Sequence, residues 1–461
     1  MTEHRQADTE VDDDDFELSR KDLEAINKAI DDQDGPALDG LLEHEHAADI
    51  ADLIEQLTPP RRRAFLRLYS GEMDGEILSE IDDSIREEVI EQLPHEVVAE
   101  AVREMDTDDV VDLIEDMDKS EQQVILAALD DSDRAAVERS LTYPEYSAGR
   151  LMQSEVVTAP EHWTVGETID YLRHEDWLPD QFYHVIMVDP RRHPKGYVTL
   201  GKLLASRRET PLSEITEDSF RTISARQDEG DVAYAFNKYH LISAPVVDDH
   251  DRLVGVITID DAMSVLDEEH EEDFLRMARV SDDSHVSDGP LQTARQRLPW
   301  LVINLFTASL SALVISRFEA TVAQLVILAA LMPIVASTGG IAGTQSLAVA
   351  VRALATRDLT SNNARRVILR ELAAGLLNGL GLAVILFLAG SFILGAPMIG
   401  VVLGMAMICN QIVAATGGVL VPLGLSKLGV DPALASGTFV TTMTDMMGFF
   451  AFLGLASWIL I

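Results

Sequence analysis

Cysteine is nearly missing from this chain: among 461 residues there is one, Cys409, inside an apolar run. No intramolecular disulfide can form, and no thiolate cluster is available for a structural zinc site. Basic residues are also scarce, 36 Lys and Arg against 78 Asp and Glu, for a formal net charge of −42. A surface of that sign repels nucleic acid and anionic lipid and attracts divalent cations, although a solvated acidic surface is the plainer use of many of these carboxylates. The first residues, MTEHRQADTEVDDDD, have neither a basic n-region nor an apolar h-region. No cleavable signal peptide is therefore expected, and the soluble part is expected to stay in the cytosol. A phosphate-binding loop, a nucleophile motif and paired His-x-x-x-His spacing are all missing, so neither an enzyme nor an ATP-driven pump is expected.

What is present is divided unevenly. Residues 291–461 hold nine basic and five acidic residues, a net of +4; subtraction from the totals leaves 27 basic and 73 acidic in 1–290, a net of −46. An average hydropathy near zero thus hides an acidic soluble part and an apolar part that need different solvents.

Along the soluble part, residues 1–40 read as an acidic, disordered N-terminus. From 41 to 142 a twelve-residue repeat places apolar side chains at Leu57, Tyr69, Ile81, Leu93, Met105, Met117, Leu129 and Leu141. The next residue is usually a helix N-cap type, such as Thr58, Ser70, Asp82, Asp106, Asp118 or Asp130, with Pro94 in that place once. Helices of two to three turns cannot each enclose a core, so they are expected to stack as an α-helical superhelix. Two units of similar design follow, each with a β-hairpin signal: FYHVIMVD with GYVTL, then LISAPVVDD with RLVGVITIDDAM. Residues 265–280 read as one acidic helix.

Five apolar segments follow, near 298–316, 322–351, 367–394, 399–424 and 432–461, each near or above the length that spans a bilayer. With a cytosolic N-terminus, the inner segments hold Arg295, Arg297, Arg352, Arg357, Arg365, Arg366, Arg370 and Lys427, while the outer connections hold only Arg317. That asymmetry fits the positive-inside rule and puts the C-terminus outside.

This order of parts resembles the MgtE family of magnesium transporters over nearly all of 41–461. Its most specific pieces are YPEYSAGRLM (143–152), EEHEEDFLRMARV (268–280), MPIVASTGGIAGTQ (332–345) and DPALASGTFVTTMTDMMGFFAFLGLA (431–456). The resemblance implies a multidomain chain: the helical superhelix at 41–142, an α/β pair of CBS domains at 143–210 and 211–264, a linker (plug) helix at 265–290, and an all-α transmembrane domain of five helices at 291–461. It further implies a homodimer in the cytoplasmic membrane, with a shared path for Mg²⁺ and other divalent cations that closes when internal Mg²⁺ is high. Two positions depart from the family pattern: Ile341 stands where many members carry Asn, and Ser264 where many carry an acid.

Asp445 is the first site candidate. A carboxylate at membrane depth is costly and ordinarily faces a partner, a cavity or an ion path, and no basic residue lies deep in any segment. Two copies of Asp445 across a dimer axis could hold a hydrated Mg²⁺, which keeps its water tightly. Gly339, Gly340 and Gly343 follow Pro333 and are expected to interrupt the second span, exposing a path with Thr344, or else to let helices pack closely. Glu269, Glu272 and Asp273 share one helix face, where their mutual repulsion asks for a cation or a basic neighbour. By resemblance Asp261 joins them as a regulatory metal ligand. Thr258 and Asp261 also have the Thr-x-x-Asp spacing that holds a nucleotide ribose in CBS domains, which implies ATP or another adenine nucleotide at the second domain; the first has Lys202 in the Asp position. A rival reading, a membrane-anchored nucleotide or ionic-strength sensor without transport, accounts for the CBS pair and leaves Asp445 unexplained.

Overall fold

The computed structural model describes residues 18–461 apart from 70, 72, 116, 176, 180, 218, 219, 282, 283, 285–288 and 361. The chain forms two compact units, Met1–Leu266 and Asp267–Ile461.

The first unit opens with ten short helices: α1 (Arg20–Asp32), α2 (Gly35–Leu42), α3 (Ala47–Gln56), α4 (Pro59–Tyr69), α5 (Gly75–Ser79), α6 (Asp83–Gln92), α7 (His95–Glu104), α8 (Thr107–Glu115), α9 (Lys119–Leu126) and α10 (Asp131–Ser140). Several start on a side chain that accepts an otherwise orphaned N–H: Asp34 from Ala37, Asp74 from Ile77, Asp82 from Ser84. Helices this short are marginal alone, and each leans on one further along: α3 on α5, α5 on α7 and α8, α7 on α9. The twelve-residue period marks the seam. Leu57, Tyr69, Ile81, Leu93 and Leu129 are buried in one continuous core, and Met105, Met117 and Leu141 pack against it. Within that core Arg62 is 3% exposed; its guanidinium bonds the carbonyls of Ile54, Glu55 and Leu57 at the end of α3 and pairs with Glu88 at 2.9 Å.

Disorder through residue 40 is corrected for the described part. Ser19 caps α1, Ile26 and Ile30 fall on one face of it, and Ile26 and Leu38 are fully buried in the same core. Residues 1–17 lie outside the described residues.

Two three-stranded sheets follow with the same connectivity. In the first, β1 (Thr158–Pro160) runs parallel to β2 (His184–Val188), which pairs antiparallel with β3 (Pro194–Thr199). In the second, β4 (Ile223–Ser224), β5 (Ser243–Val247) and β6 (Leu253–Thr258) repeat that order, with a register shift at the matching place. Helices α11 (Val165–His174) and α12 (Leu200–Ala205) belong to the first, α13 (Glu229–Tyr239) to the second. The acidic helix begins earlier than its charge suggested: α14 runs without a break over Ile259–Ala278, so the helix after β6 and the linker are one element.

The second unit contains α15 (Pro290–Ser316), α16 (Glu319–Gln324), α17 (Ile327–Ala355), α18 (Ala364–Phe392), α19 (Pro397–Lys427) and α20 (Pro432–Ile459). All but the short α16 include a segment long and apolar enough to cross a membrane. The second apolar segment, expected from 322, is divided between α16 and α17. Helix α19 is the most enclosed and packs on α17, α18 and α20. Glycines permit the closest approaches, as at Gly379, where a Cβ would lie 2.9 Å from the Ile408 backbone.

Candidate ion path and acidic clusters

Helices α17 and α20 meet through small side chains. A Cβ on Gly343 would sit 2.6 Å from Val440 and 3.5 Å from Thr444, and one on Gly340 would touch only the Thr441 methyl at 3.9 Å. Asp445 follows Thr444 in the middle of α20 and is partly buried. Among the described residues no side chain or backbone group hydrogen-bonds or pairs with its carboxylate. The cationic side chains of the spanning helices lie toward their ends, as with Arg352 in the last turn of α17 and Lys427 in that of α19. An uncompensated carboxylate at that depth needs water, a cation or a second chain.

The glycine pair behaves differently from the expectation. Helix α17 is continuous through it, with Pro333 inside, so the second span is not interrupted. Gly339 is a packing position: a Cβ there would fall 2.1 Å from Asn410 Nδ2, which donates to the Val335 carbonyl at 2.9 Å. Gly340 is partly open and Thr344 is exposed, its hydroxyl donating to the Gly340 carbonyl at 3.0 Å. Ile341 is 58% exposed. Asn410 itself, fully buried in α19, was not singled out from the sequence, although a polar pair (Asn410, Gln411) inside an apolar run is a legible signal.

The end of α14 docks on the start of α20. Arg276 pairs with Glu272 at 2.8 Å and with Asp431 at 3.0 Å, while Asp431 caps α20 by accepting from the Ala433 N–H. Met277 packs among Leu347, Val351 and Ala433. Burial, then the charge of Asp431, raises the pKa of Asp273, with Arg276 working the other way. Glu269 is exposed. Of the three linker acids, Glu272 therefore has a basic neighbour on its own helix, a partner the spacing of the acids alone did not reveal.

A second acidic cluster forms within the first unit. Thr258 donates through its N–H (3.2 Å) and its hydroxyl to Asp261, which thereby caps the start of α14. Asp108 and Asp109, in the first turn of α8, lie close enough for Asp261 to disturb their ionisation. Burial followed by the Asp261 charge pushes Asp109 up to about 7 and Asp108 well above its usual range. Asp261 rises to about 6, chiefly through burial, with Asp260 and Asp106 adding to it against the Thr258 hydrogen bonds. Glu155 accepts from Thr107 at 2.9 Å and is also raised, first by burial. Among its described residues the cluster has only oxygen donors. Carboxylate oxygen is the donor a hard cation such as Mg²⁺ prefers, but no three of these carboxylates have oxygens within 4.8 Å of one another. Asp106 was read from the sequence as a cap alone, and Asp108 and Asp109 not at all, because residues some 150 positions from Asp261 meet it only in the fold. In the first sheet unit Lys202 pairs with Glu217 at 3.3 Å.

An acidic helical domain, a tandem of CBS-type sheets and a bundle of membrane-length helices define a multi-pass membrane protein with a large part outside its spans. Its segments match three family descriptions: the MgtE intracellular N domain over 45–146, CBS domains over 148–209 and 212–268, and the divalent cation transporter MgtE over 332–455. The magnesium transporter MgtE of Enterococcus faecalis is 36% identical over 323 residues, 70% of this chain and 71% of that protein; the Thermus thermophilus MgtE is 34% identical over 325 residues, 70% and 72%. A crystal structure of the cytosolic domain of the Mg²⁺ channel MgtE in complex with ATP aligns with 53% of this chain and 99% of its own at 29% identity and a TM-score of 0.48. The chain belongs to the MgtE family of magnesium transporters.

Proposed function

We propose that this protein is a homodimeric, Mg²⁺-gated channel for Mg²⁺ and related divalent cations in the cytoplasmic membrane, with its N-terminus in the cytosol and its C-terminus outside. The observation that carries the reading is the unpaired Asp445 carboxylate in the middle of α20, beside the α17–α20 contact. Paired across a two-fold axis, two such groups would hold a hydrated cation by charge without removing its water. Gly340 and Thr344 line the same path, and Gly339 shapes it through Asn410. On the regulatory side, Asp261 with Asp108 and Asp109 forms one Mg²⁺ site, and Glu269, Glu272 and Asp273 supply acids for another on α14. Bound Mg²⁺ relieves the repulsion within each cluster and favours the compact, closed arrangement. Thr258 and Asp261 support an adenine nucleotide at the second CBS domain, whereas Lys202, held by Glu217, speaks against a matching site in the first.

The test is cation uptake by the purified protein in vesicles, with internal Mg²⁺ stepped from low to millimolar and Co²⁺, Mn²⁺ and Ca²⁺ compared. Uptake that falls as internal Mg²⁺ rises is expected. No uptake of any divalent cation would overturn the reading in favour of a sensor.

A further inference from the structure

Helix α14 ends at Ala278, and Arg279 follows at φ 64°, the left-handed region where a helix is usually closed by glycine. Its N–H donates to the Arg276 carbonyl at 3.0 Å, and the Val280 N–H to that of Leu275 at 3.0 Å, so the turn is a regular helix end made with an unusual residue. The side chain does what a glycine could not. Its guanidinium covers Gly437 of α20, where a Cβ would sit 3.2 Å from both Nε and Nη2, and Nη2 donates to Thr441 Oγ1 at 3.1 Å. Among the described residues no carboxylate pairs with Arg279, and burial alone lowers its pKa. A half-buried cation held by one neutral hydroxyl is poorly compensated where it sits. Thr441 lies four residues, about one helical turn, before Asp445.

We propose that Arg279 is a tethered cation that closes the ion path: seated on Gly437 and Thr441, it excludes hydrated divalent cations by its charge. This rests on reading Asp445 as the ion-binding carboxylate. A fixed positive charge one turn from that site repels a doubly charged ion over the distance at which the carboxylate would attract it. Withdrawal of α14 removes the charge and frees the Thr441 hydroxyl in one movement.

The experiment uses the full chain in vesicles at high internal Mg²⁺, where the path is closed. In a Cys409→Ala background, needed because Cys409 is exposed, Arg279→Cys should raise Mg²⁺ uptake about tenfold. Labelling that cysteine with a cationic aminoethyl thiosulfonate should restore the block; the similar-sized anionic sulfonatoethyl reagent should not. Arg279→Lys against Arg279→Gln repeats the comparison without labelling, with closure kept only by Lys. Equal block by both labels would mean that bulk closes the path, overturning the proposal. Unchanged uptake in all Arg279 variants, alongside loss of uptake in Asp445→Asn at low internal Mg²⁺, where the path is open, would refute the Arg279 assignment alone. Normal uptake in Asp445→Asn would instead refute the reading beneath it.

Discussion

Gly339 and Gly340 are neighbours on α17, and the packing separates them. A methyl at 339 would collide with the Asn410 amide at 2.1 Å, while at 340 the nearest atom is 3.9 Å away. Gly339→Ala should therefore lower the thermal midpoint of the detergent-solubilised protein, with an overpacking cost of ~1–3 kcal/mol. Adding Asn410→Ala should recover much of that loss by vacating the space. Gly340→Ala should leave the midpoint nearly unchanged and act on flux instead. Equal destabilisation by the two alanines would contradict the distinction. The sequence offered both readings of these glycines, path and packing, because which face α19 covers depends on the whole bundle. Asp445 stood out as a candidate at once, because a lone acid among apolar residues is conspicuous along the chain.

At the scale of elements, the periodic features were the readable ones. The twelve-residue period in the helical array named all eight seam positions, and the two hairpin signals fell on β2–β3 and β5–β6. The start of the array at Ser19 was missed because its acids masked a helical face containing Ile26 and Ile30. The buried acid cluster was out of reach for a different reason, since it joins α8 to the start of α14. Its ionisation makes a prediction. An aspartic acid titrates ordinarily near 3.8, whereas Asp109 and Asp261 reach about 7 and about 6 in the fold. A carboxyl raised on folding stabilises the fold below its ordinary value, and that contribution is lost as pH rises through 6 to 7. The metal-free protein should accordingly unfold at lower temperature at pH 8 than at pH 5.5, and Mg²⁺ should narrow the difference by taking the place of protons. Identical midpoints at pH 8 with and without Mg²⁺ would count against a cation site there. On α14, changing Glu269, Glu272 and Asp273 together to Ala should leave uptake high at millimolar internal Mg²⁺, since the acids that would take the cation are gone and no bound cation then draws the end of α14 onto α20. Closure as complete as in the parent would move the sensor to the α8 cluster.

For the whole molecule, the division of charge is the organising fact. A net of −46 over residues 1–290 and +4 over 291–461 joins, along the chain, a cation-attracting acidic part to an apolar part whose basic residues gather at the helix ends. The positive-inside count predicts that a reporter active only in the cytosol stays silent when fused after Ile461, whereas activity there would require an even number of crossings. The central claim, that Asp445 is the ion-binding carboxylate of a shared path, is tested most directly by Mg²⁺ flux through Asp445→Asn in vesicles. Asparagine keeps the shape and removes the charge, so the variant should fold and assemble as the parent does while Mg²⁺ flux falls by about a hundredfold or more, as expected if binding at mid-membrane depends on that charge. Parental flux through a well-folded Asp445→Asn protein would contradict the account.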